Sequence, residues 1–266
     1  MLRVPRSPAR VDPRLATAVA HALGRGPAVA AAVLRACGRA NVAFHRDYAR
    51  LARGPGRLPA PPAWPEADAF LRALRADGRP VVLATLHVGT YLSDLLSLAR
   101  PLAWLGRVTV IRRERGNPAE AGLLEAFRRT GLPVELVRTR EQPARAALRA
   151  LHRGEHVLLL YDVPPTFDLG RTLEVPFLGA PGQLPAGPAA LARRGGALLW
   201  PFAVTGGRGR RLVHGGVLAP GVDVEAAAAT RQLARFAERR ILAEPERWLL
   251  WHHLPAFRPP PSVESA

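Results

Sequence analysis

The sequence predicts an α/β fold with a mostly parallel sheet, two-layered or sandwiched, and flanking helices. Two observations predict it. Short apolar runs, typical of strands buried on both faces, alternate with longer amphipathic stretches. Their order is strand, helix, strand along most of the chain, which favours parallel pairing through helical crossovers. The predicted strands cover residues 80–86, 108–112, 133–137, 156–161 and 197–204, and the predicted helices cover residues 67–76, 91–98, 118–130, 142–152, 188–194 and 224–242.

Each element has its own local signal. The strands read VVLATL, VTVI, PVELV, HVLLLY and ALLWPFAV, and RRLVHGGVLAP adds a further strand before the last helix. Asn117 is placed to cap the helix that follows it, with Pro118 at the first helical position. Gly187 and Pro188 are expected to begin another helix. The elements therefore follow from apolar runs and from the residues that bound them.

Four regions are predicted along the chain. Residues 1–52 form an N-terminal helical segment, with two short helices separated by LGRGP and a possible membrane-interfacial role. Residues 53–66 are a proline-rich connector, residues 67–258 the α/β domain and residues 259–266 a frayed tail. The most apolar N-terminal run is interrupted by Arg35 and Arg39 and is too short to span a membrane. No secretory signal is apparent, so we expect a soluble or peripheral protein.

Composition narrows the class of function. All 38 basic residues are arginine, against 21 acids, and the net charge of +17 predicts anionic partners. A single cysteine, Cys37, excludes an internal disulfide and a cysteine-based zinc site, and the absence of lysine excludes Schiff-base chemistry. The adjacent His252 and His253 would point to opposite faces of a strand, so no metal is expected. Scattered arginines and only 6% aromatic residues argue against nucleic-acid binding.

Charged side chains follow three predicted strands. His87 follows VVLATL, Arg112 and Arg113 follow VTVI, and Asp162 follows HVLLLY. Ligands of open α/β sheets bind beyond the carboxyl ends of the strands. A base, a cation and an acid are therefore predicted to share one site.

Four sequence blocks resemble those of a known protein family. They are HVGTYL, VIRRERGNP, the stretch from YDVPPTFDLG to ALLWPF, and PERWLLWHHLPAFRP. In this order and spacing they resemble the bacterial lipid A biosynthesis (lauroyl/myristoyl) acyltransferases, within the lysophospholipid and glycerophosphate acyltransferase group. The resemblance covers about residues 81–259 and implies a glycerophosphate-acyltransferase-like fold. It also implies transfer of a fatty acyl group from an acyl carrier protein or coenzyme A thioester to a lipid or glycolipid hydroxyl, at the cytoplasmic face of the inner membrane. No cofactor beyond the acyl donor is implied.

The resemblance makes His87 the general base that takes the proton of the acceptor hydroxyl. The family has an acid five residues after this histidine, where this chain has Leu92. Asp94 is the nearest substitute, but two further helical residues rotate a side chain by about 200°, so Asp94 faces away if Leu92 faces the histidine. Three alternatives stay open: Asp94 serves in a shifted register, Asp162 or another acid takes over, or the pair is lost and the protein binds substrate without turnover.

Other candidate residues are expected to bind substrate. Gly89 and Thr90 lie in the turn after the histidine, where backbone N–H groups at a helix start are expected to receive the oxyanion. Arg112 is the leading candidate for clamping a phosphate or phosphopantetheine. Asp162 is alternatively expected to orient Arg112 or Arg171. The remaining substrate-binding candidates are Arg113, Asn117, Arg171, and Phe177 and Gly179 at the acyl pocket or its rim.

Overall fold

The computed structural model describes residues 11–53, 60–112, 119–138, 142–167, 170–206, 209–221 and 224–259. The described part contains eight α-helices and eight strands. The helices are α1 (Pro13–Leu23), α2 (Pro27–Ala52), α3 (Ala67–Asp77), α4 (Tyr91–Ala99), α5 (Ala119–Arg128), α6 (Pro143–His152), α7 (Gly187–Arg194) and α8 (Ala226–Ala243). The strands are β1 (Val81–Thr85), β2 (Val108–Arg112), β3 (Val134–Arg138), β4 (His156–Leu160), β5 (Thr172–Phe177), β6 (Ala180–Pro185), β7 (Leu198–Val204) and β8 (Leu212–His214).

Six of these strands form one sheet in the order β3-β2-β4-β1-β7-β8. The first five are parallel, and β8 pairs antiparallel with β7 at the edge. Alternate side chains of β1 enter different cores, with Val82 and Ala84 on one face and Val81 and Leu83 on the other. The sheet is therefore buried on both faces, which explains why its strands read as continuous apolar runs. The predicted fold class is confirmed.

The N-terminal helices bend sharply relative to each other. Asp12 caps α1 through a 2.8 Å bond from the Arg14 N–H, and Gly24 ends the helix in the left-handed conformation. α2 has 26 residues, longer than the short helix predicted there, and packs against α1, α4, α5 and the turn at Pro245–Arg247. No single described helix has the length and apolarity to cross a membrane. The pair Pro13–Leu23 and Pro27–Leu51, bent by 104°, has them only when taken together.

A two-stranded antiparallel hairpin, β5–β6, was not predicted. Its strands contain Pro176, Pro181 and Pro185, a residue type that is depleted in strands. The turn has Leu178 and Gly179 with φ of 53° and 76°, the two successive positive values of a type I′ hairpin turn. The hairpin packs on α8.

Candidate active site

His87 and Asp162 contact each other at the carboxyl edge of the sheet. Thr85, the last residue of β1, pairs with Leu160, the last residue of β4. His87 and Asp162 each lie two positions further along and are therefore side by side. The Nδ1 atom of His87 is 2.9 Å from Asp162 Oδ1, and the His87 backbone N–H donates to Oδ2 at 2.9 Å. A carboxylate only accepts hydrogen bonds, so Nδ1 carries the hydrogen and Nε2 remains a proton acceptor.

The burial of the two side chains differs. Asp162 is 0% exposed, whereas the His87 side chain is 20% exposed. The carboxylate is thus shielded from water while the imidazole can meet a substrate. This is the arrangement in which an acid orients a histidine that acts as general base.

The segment Arg247–Leu249 runs antiparallel to His87–Gly89. The Leu249 N–H donates to the His87 carbonyl at 2.9 Å, and the Gly89 N–H donates to the Arg247 carbonyl at 2.8 Å. Between these bonds, Val88 and Trp248 form an antiparallel bridge. The indole N–H of Trp248 also donates to Asp162 Oδ2 at 2.9 Å. One segment near residue 248 therefore supports both the histidine loop and the acid.

Gly89 meets two requirements that favour glycine. Its φ is 54°, a left-handed conformation that side chains disfavour, and a Cβ at this position would collide with the guanidinium of Arg247. Because the N–H of Gly89 is used by Arg247, donors for an oxyanion would have to come from later residues. Thr90 occupies the N-cap position of α4, so the positive end of that helix dipole begins just beyond it.

Asp94 lies elsewhere. It is buried in α4 and pairs with Arg210, which also donates to Ser97 Oγ at 3.2 Å. Burial raises the pKa of Asp94 to about 6 despite the attraction to Arg210, because desolvation outweighs that pairing. Its Oδ2 has no hydrogen-bond partner within the described ranges. The carboxylate that meets His87 is thus Asp162, and Leu92 instead lines a cavity beside the histidine.

The cavity has a volume of about 790 Å³, within the usual range for ligand pockets, and follows α2 from Leu34 to Tyr48. This helical distance is about 21 Å. His87 faces α2 near its later half: Tyr91 packs edge-on against the imidazole with centroids 5.3 Å apart, and Phe44 stacks on Tyr91 at 5.0 Å.

The cavity has two ends with different linings. Beyond Phe44 it runs under α4 and α5 towards the start of β2 and is apolar, with walls that include Leu105, Val108, Val110, Leu123, Phe127 and Val134. From Asn41 towards the start of α2 it lies between α1, α2 and the C-terminal segment, where polar side chains join the wall: Asp12, Arg35, Asn41, His252 and His253. Burial lowers the pKa of His252, which favours its neutral form. His87 thus stands between an apolar end and a more polar end.

The other predicted residues have different positions. Arg112 ends β2, but its side chain lies outside the described part, as do Arg113 and Asn117 entirely. Arg171 is exposed, and the described bonds of Asp162 go to His87 and Trp248. Phe177 is fully buried and packs edge-on to Trp248 with centroids 6.2 Å apart, and Gly179 forms the hairpin turn against His21. Neither lines this cavity, and both line a smaller one beside the β5–β6 hairpin.

A family model described as bacterial lipid A biosynthesis acyltransferase matches residues 30–254. The match extends from α2 through His87 and Asp162 to Trp248 and covers well over half of the chain.

The chain belongs to that family.

Membership makes the protein an acyltransferase in general terms, and the resemblance drawn from the sequence motifs is confirmed. No curated protein matches the chain. The carboxylate that contacts His87 belongs to Asp162, beyond the end of a neighbouring strand. It does not come from the position five residues after the histidine, where the family motif has an acid.

Three neighbours of the site escaped sequence reasoning: Trp248, Arg247 and Asn41. The PERW motif was recognised in the sequence, but no sequence pattern predicts that the indole of Trp248 contacts Asp162, 86 residues earlier. Asn41 donates to the carbonyls of Cys37 and Leu249 at 3.2 Å and 3.4 Å, which ties α2 to the C-terminal segment. Such long-range contacts leave no local signal in the sequence.

Proposed function

We propose that this acyltransferase moves a fatty acyl group from an acyl carrier protein or coenzyme A thioester to a hydroxyl of a lipid or glycolipid, with His87 as general base. The observation that carries the proposal is the 2.9 Å contact between His87 and the buried Asp162 at the wall of a largely apolar cavity. A thioester carbonyl at the histidine would let the acyl chain extend into the apolar end. Burial of each methylene group there favours binding by about 0.8 kcal/mol.

In the proposed reaction, His87 Nε2 takes the proton of the acceptor hydroxyl as its oxygen attacks the thioester carbonyl. The new C–O bond gives a tetrahedral oxyanion, which the positive N-terminal end of α4 would stabilise. Collapse breaks the C–S bond, and the proton on Nε2 passes to the departing sulfur. The products are an ester and a free thiol. Asp162 holds the ring and stabilises the imidazolium.

A direct transfer is favoured over a cysteine-linked intermediate. Cys37 lines the cavity, but burial raises the pKa of its thiol to about 11. Its Sγ donates to the Trp248 carbonyl at 3.1 Å. A thiol that stays protonated at neutral pH is a poor nucleophile.

The acceptor is proposed to be an anionic lipid or glycolipid that enters at the polar end. Arg35 and the net charge of +17 favour an anionic head group, while Leu15 and Leu34 offer apolar contact. The bent pair α1–α2 forms this entrance, and we propose that it rests peripherally on the cytoplasmic face of the bacterial inner membrane.

Thiol release from acyl-coenzyme A and acyl carrier protein thioesters, with bacterial membrane lipid extract as acceptor, tests the function. We expect acceptor-dependent release in the wild type and its loss in His87→Ala. Asp162→Asn should lower kcat by about 10²- to 10⁴-fold, because the imidazole loses its orienting carboxylate.

Asp94→Asn is the matched control. It makes the same chemical change at a second buried acid that pairs with Arg210 instead of the histidine. We expect activity within about threefold of wild type once the folded fraction is normalised, as for residues outside a catalytic network. Equal losses of kcat in Asp162→Asn and Asp94→Asn would show that Asp162 has no specific role in the reaction. Acyl-thioester binding without release from the wild type would instead mark a binding protein.

A further inference from the structure

The carboxylate of Asp162 accepts three described hydrogen bonds. Two come from His87, through its backbone N–H and Nδ1, and the third comes from the indole N–H of Trp248 at 2.9 Å. Asp162 and Trp248 are each 0% exposed, so water is a poor substitute for any of these donors. The two oxygens have different partners: Oδ1 faces the imidazole, and Oδ2 receives the backbone N–H and the indole.

This division determines the plane of the carboxylate. A carboxylate can rotate about its terminal torsion, which is broad and has no strong preferred angle. Two donors from different chain segments on Oδ2 hold that oxygen, and Oδ1 is thereby directed at Nδ1. Without the indole N–H, the only described donor to Oδ2 would be the backbone N–H of His87, the residue that the carboxylate orients.

The indole itself is held from several sides. Trp248 bridges Val88 through its backbone, and its carbonyl accepts from the Cys37 thiol at 3.1 Å. Trp251 packs edge-on against the ring with centroids 4.9 Å apart, and Phe177 does so at 6.2 Å. The donor therefore has a defined position, as a residue that orients a catalytic group requires.

We propose that Trp248 is a positioning residue: its indole N–H orients the Asp162 carboxylate, which in turn orients His87. The proposal rests on the proposed function of His87 and adds the residue that completes the chain of contacts. Trp248 contacts no reacting atom and acts through Asp162. Its loss should therefore change turnover and pH dependence more than donor binding.

Trp248→Phe tests the proposal, with Trp200→Phe as control. Trp200 is also 0% exposed, but its indole N–H has no partner in the described part of the chain, and the residue does not line the cavity. Both variants lose the same ring volume, and only one loses a bond to a carboxylate. We expect Trp248→Phe to lower kcat by about 10- to 100-fold, as for a hydrogen bond to a charged group, with KM for the donor nearly unchanged.

The pH profile separates positioning from packing. A carboxylate with fewer donors holds the imidazolium more strongly, so the acidic limb of the kcat/KM profile should move to higher pH in Trp248→Phe and stay in place in Trp200→Phe. In an Asp162→Asn background, Trp248→Phe should lower kcat less than about threefold further, since the residue acts through that carboxylate.

Two measurements keep the test decisive if Trp248→Phe folds poorly or turnover is absent. A benzothiophene side chain at position 248 keeps the ring shape and removes only the N–H, and it should reproduce the loss of kcat. The proton on His87 Nδ1, observed directly by NMR, should shift with either change at position 248 and not in Trp200→Phe. Full activity together with an unmoved proton resonance would overturn the proposal, whereas inactivity of His87→Ala would still support the proposed function.

Discussion

His87 and Asp162 occupy equivalent positions on neighbouring parallel strands, each two residues beyond the last paired residue of β1 or β4. Because paired strands keep their register, this equivalence brings the two side chains to 2.9 Å although 75 residues separate them. The pairing gives His87 a carboxylate partner although Leu92 stands five residues after it. It also changes what a substitution at Leu92 is expected to do.

Leu92→Glu is expected to impair the enzyme. Position 92 lines the cavity beside His87, which already has a carboxylate partner, so a glutamate there would place a charge against apolar walls. KM for an acyl thioester should rise by roughly tenfold or more, while Leu92→Met should stay near wild type. Steady-state kinetics on the two variants check this. A gain in turnover from Leu92→Glu would mean that His87 lacks an effective acid in the wild type.

Phenylalanine at Val108 or Val110 should shorten the acyl chains that are accepted. Both residues belong to β2 and line the apolar end, and they lie on one face because they are two positions apart. Val110 is about 7 Å closer than Val108 to the carboxyl end of β2, where the candidate site lies.

Val110→Phe should therefore cut the preferred chain length more than Val108→Phe does. Competition among thioesters of graded chain length measures the preference, and each variant is the control for the other. Equal preferences in both variants and wild type would show that the chain binds elsewhere.

Gly89→Ala should lower both stability and activity. An alanine in the left-handed region costs about 1–2 kcal/mol, and its Cβ would also collide with the guanidinium of Arg247. Gly24→Ala is the matched control, because Gly24 has a similar φ of 58° but open space around it.

Urea unfolding should show a larger loss of unfolding free energy for Gly89→Ala than for Gly24→Ala. Only the former should reduce kcat at full folding, because only Gly89 lies in the loop that carries His87. Equal losses of unfolding free energy in the two variants would mean that the Arg247 side chain moves aside without destabilising the fold.

Asp94 and His156 should give opposite pH dependences of stability. Burial raises the pKa of Asp94 from 3.8 to about 6, so its contribution to stability is present at low pH and is lost as the pH rises through 6. Burial lowers the pKa of His156 from 6.5 to about 4, so its contribution is present above pH 6.5 and is lost as the pH falls through 4. Each effect amounts to at most about 3 kcal/mol.

The two effects oppose each other in the wild type between pH 4 and 6. Asp94→Asn should therefore lose more unfolding free energy than wild type on acidification from pH 6.5 to 4. His156→Asn should lose less, because it removes the imidazole that must take up a proton. The amide oxygen can still accept the Val81 N–H that His156 Nδ1 accepts at 3.0 Å, so the fold is kept. Chemical denaturation across this range checks both signs. Parallel curves for all three proteins would contradict the assignment.

The sequence predicted the five parallel strands of the main sheet to within one or two residues, because each is a buried apolar run with a clear end. The edge strand β8 is shorter than the predicted run RRLVHGGVLAP and ends at His214. It did not predict the β5–β6 hairpin, whose prolines resemble those of a loop, or the full length of α2. The prediction of the pair His87 and Asp162 was only partly successful. Asp162 was recognised at a strand end, but the order of strands in a sheet depends on tertiary packing, so the sequence alone left Asp94 and Asp162 as alternatives.

The support of Asp162 by Trp248 has a consequence for biosynthesis. The histidine and the acid are both synthesised before the indole that meets the acid, which belongs to residue 248. Partly synthesised chains that end before this residue would carry both groups without the segment that aligns them. Under the proposed function, the capacity to cleave thioesters is therefore expected to arise only after α8 has been made, and nascent chains would not hydrolyse acyl donors.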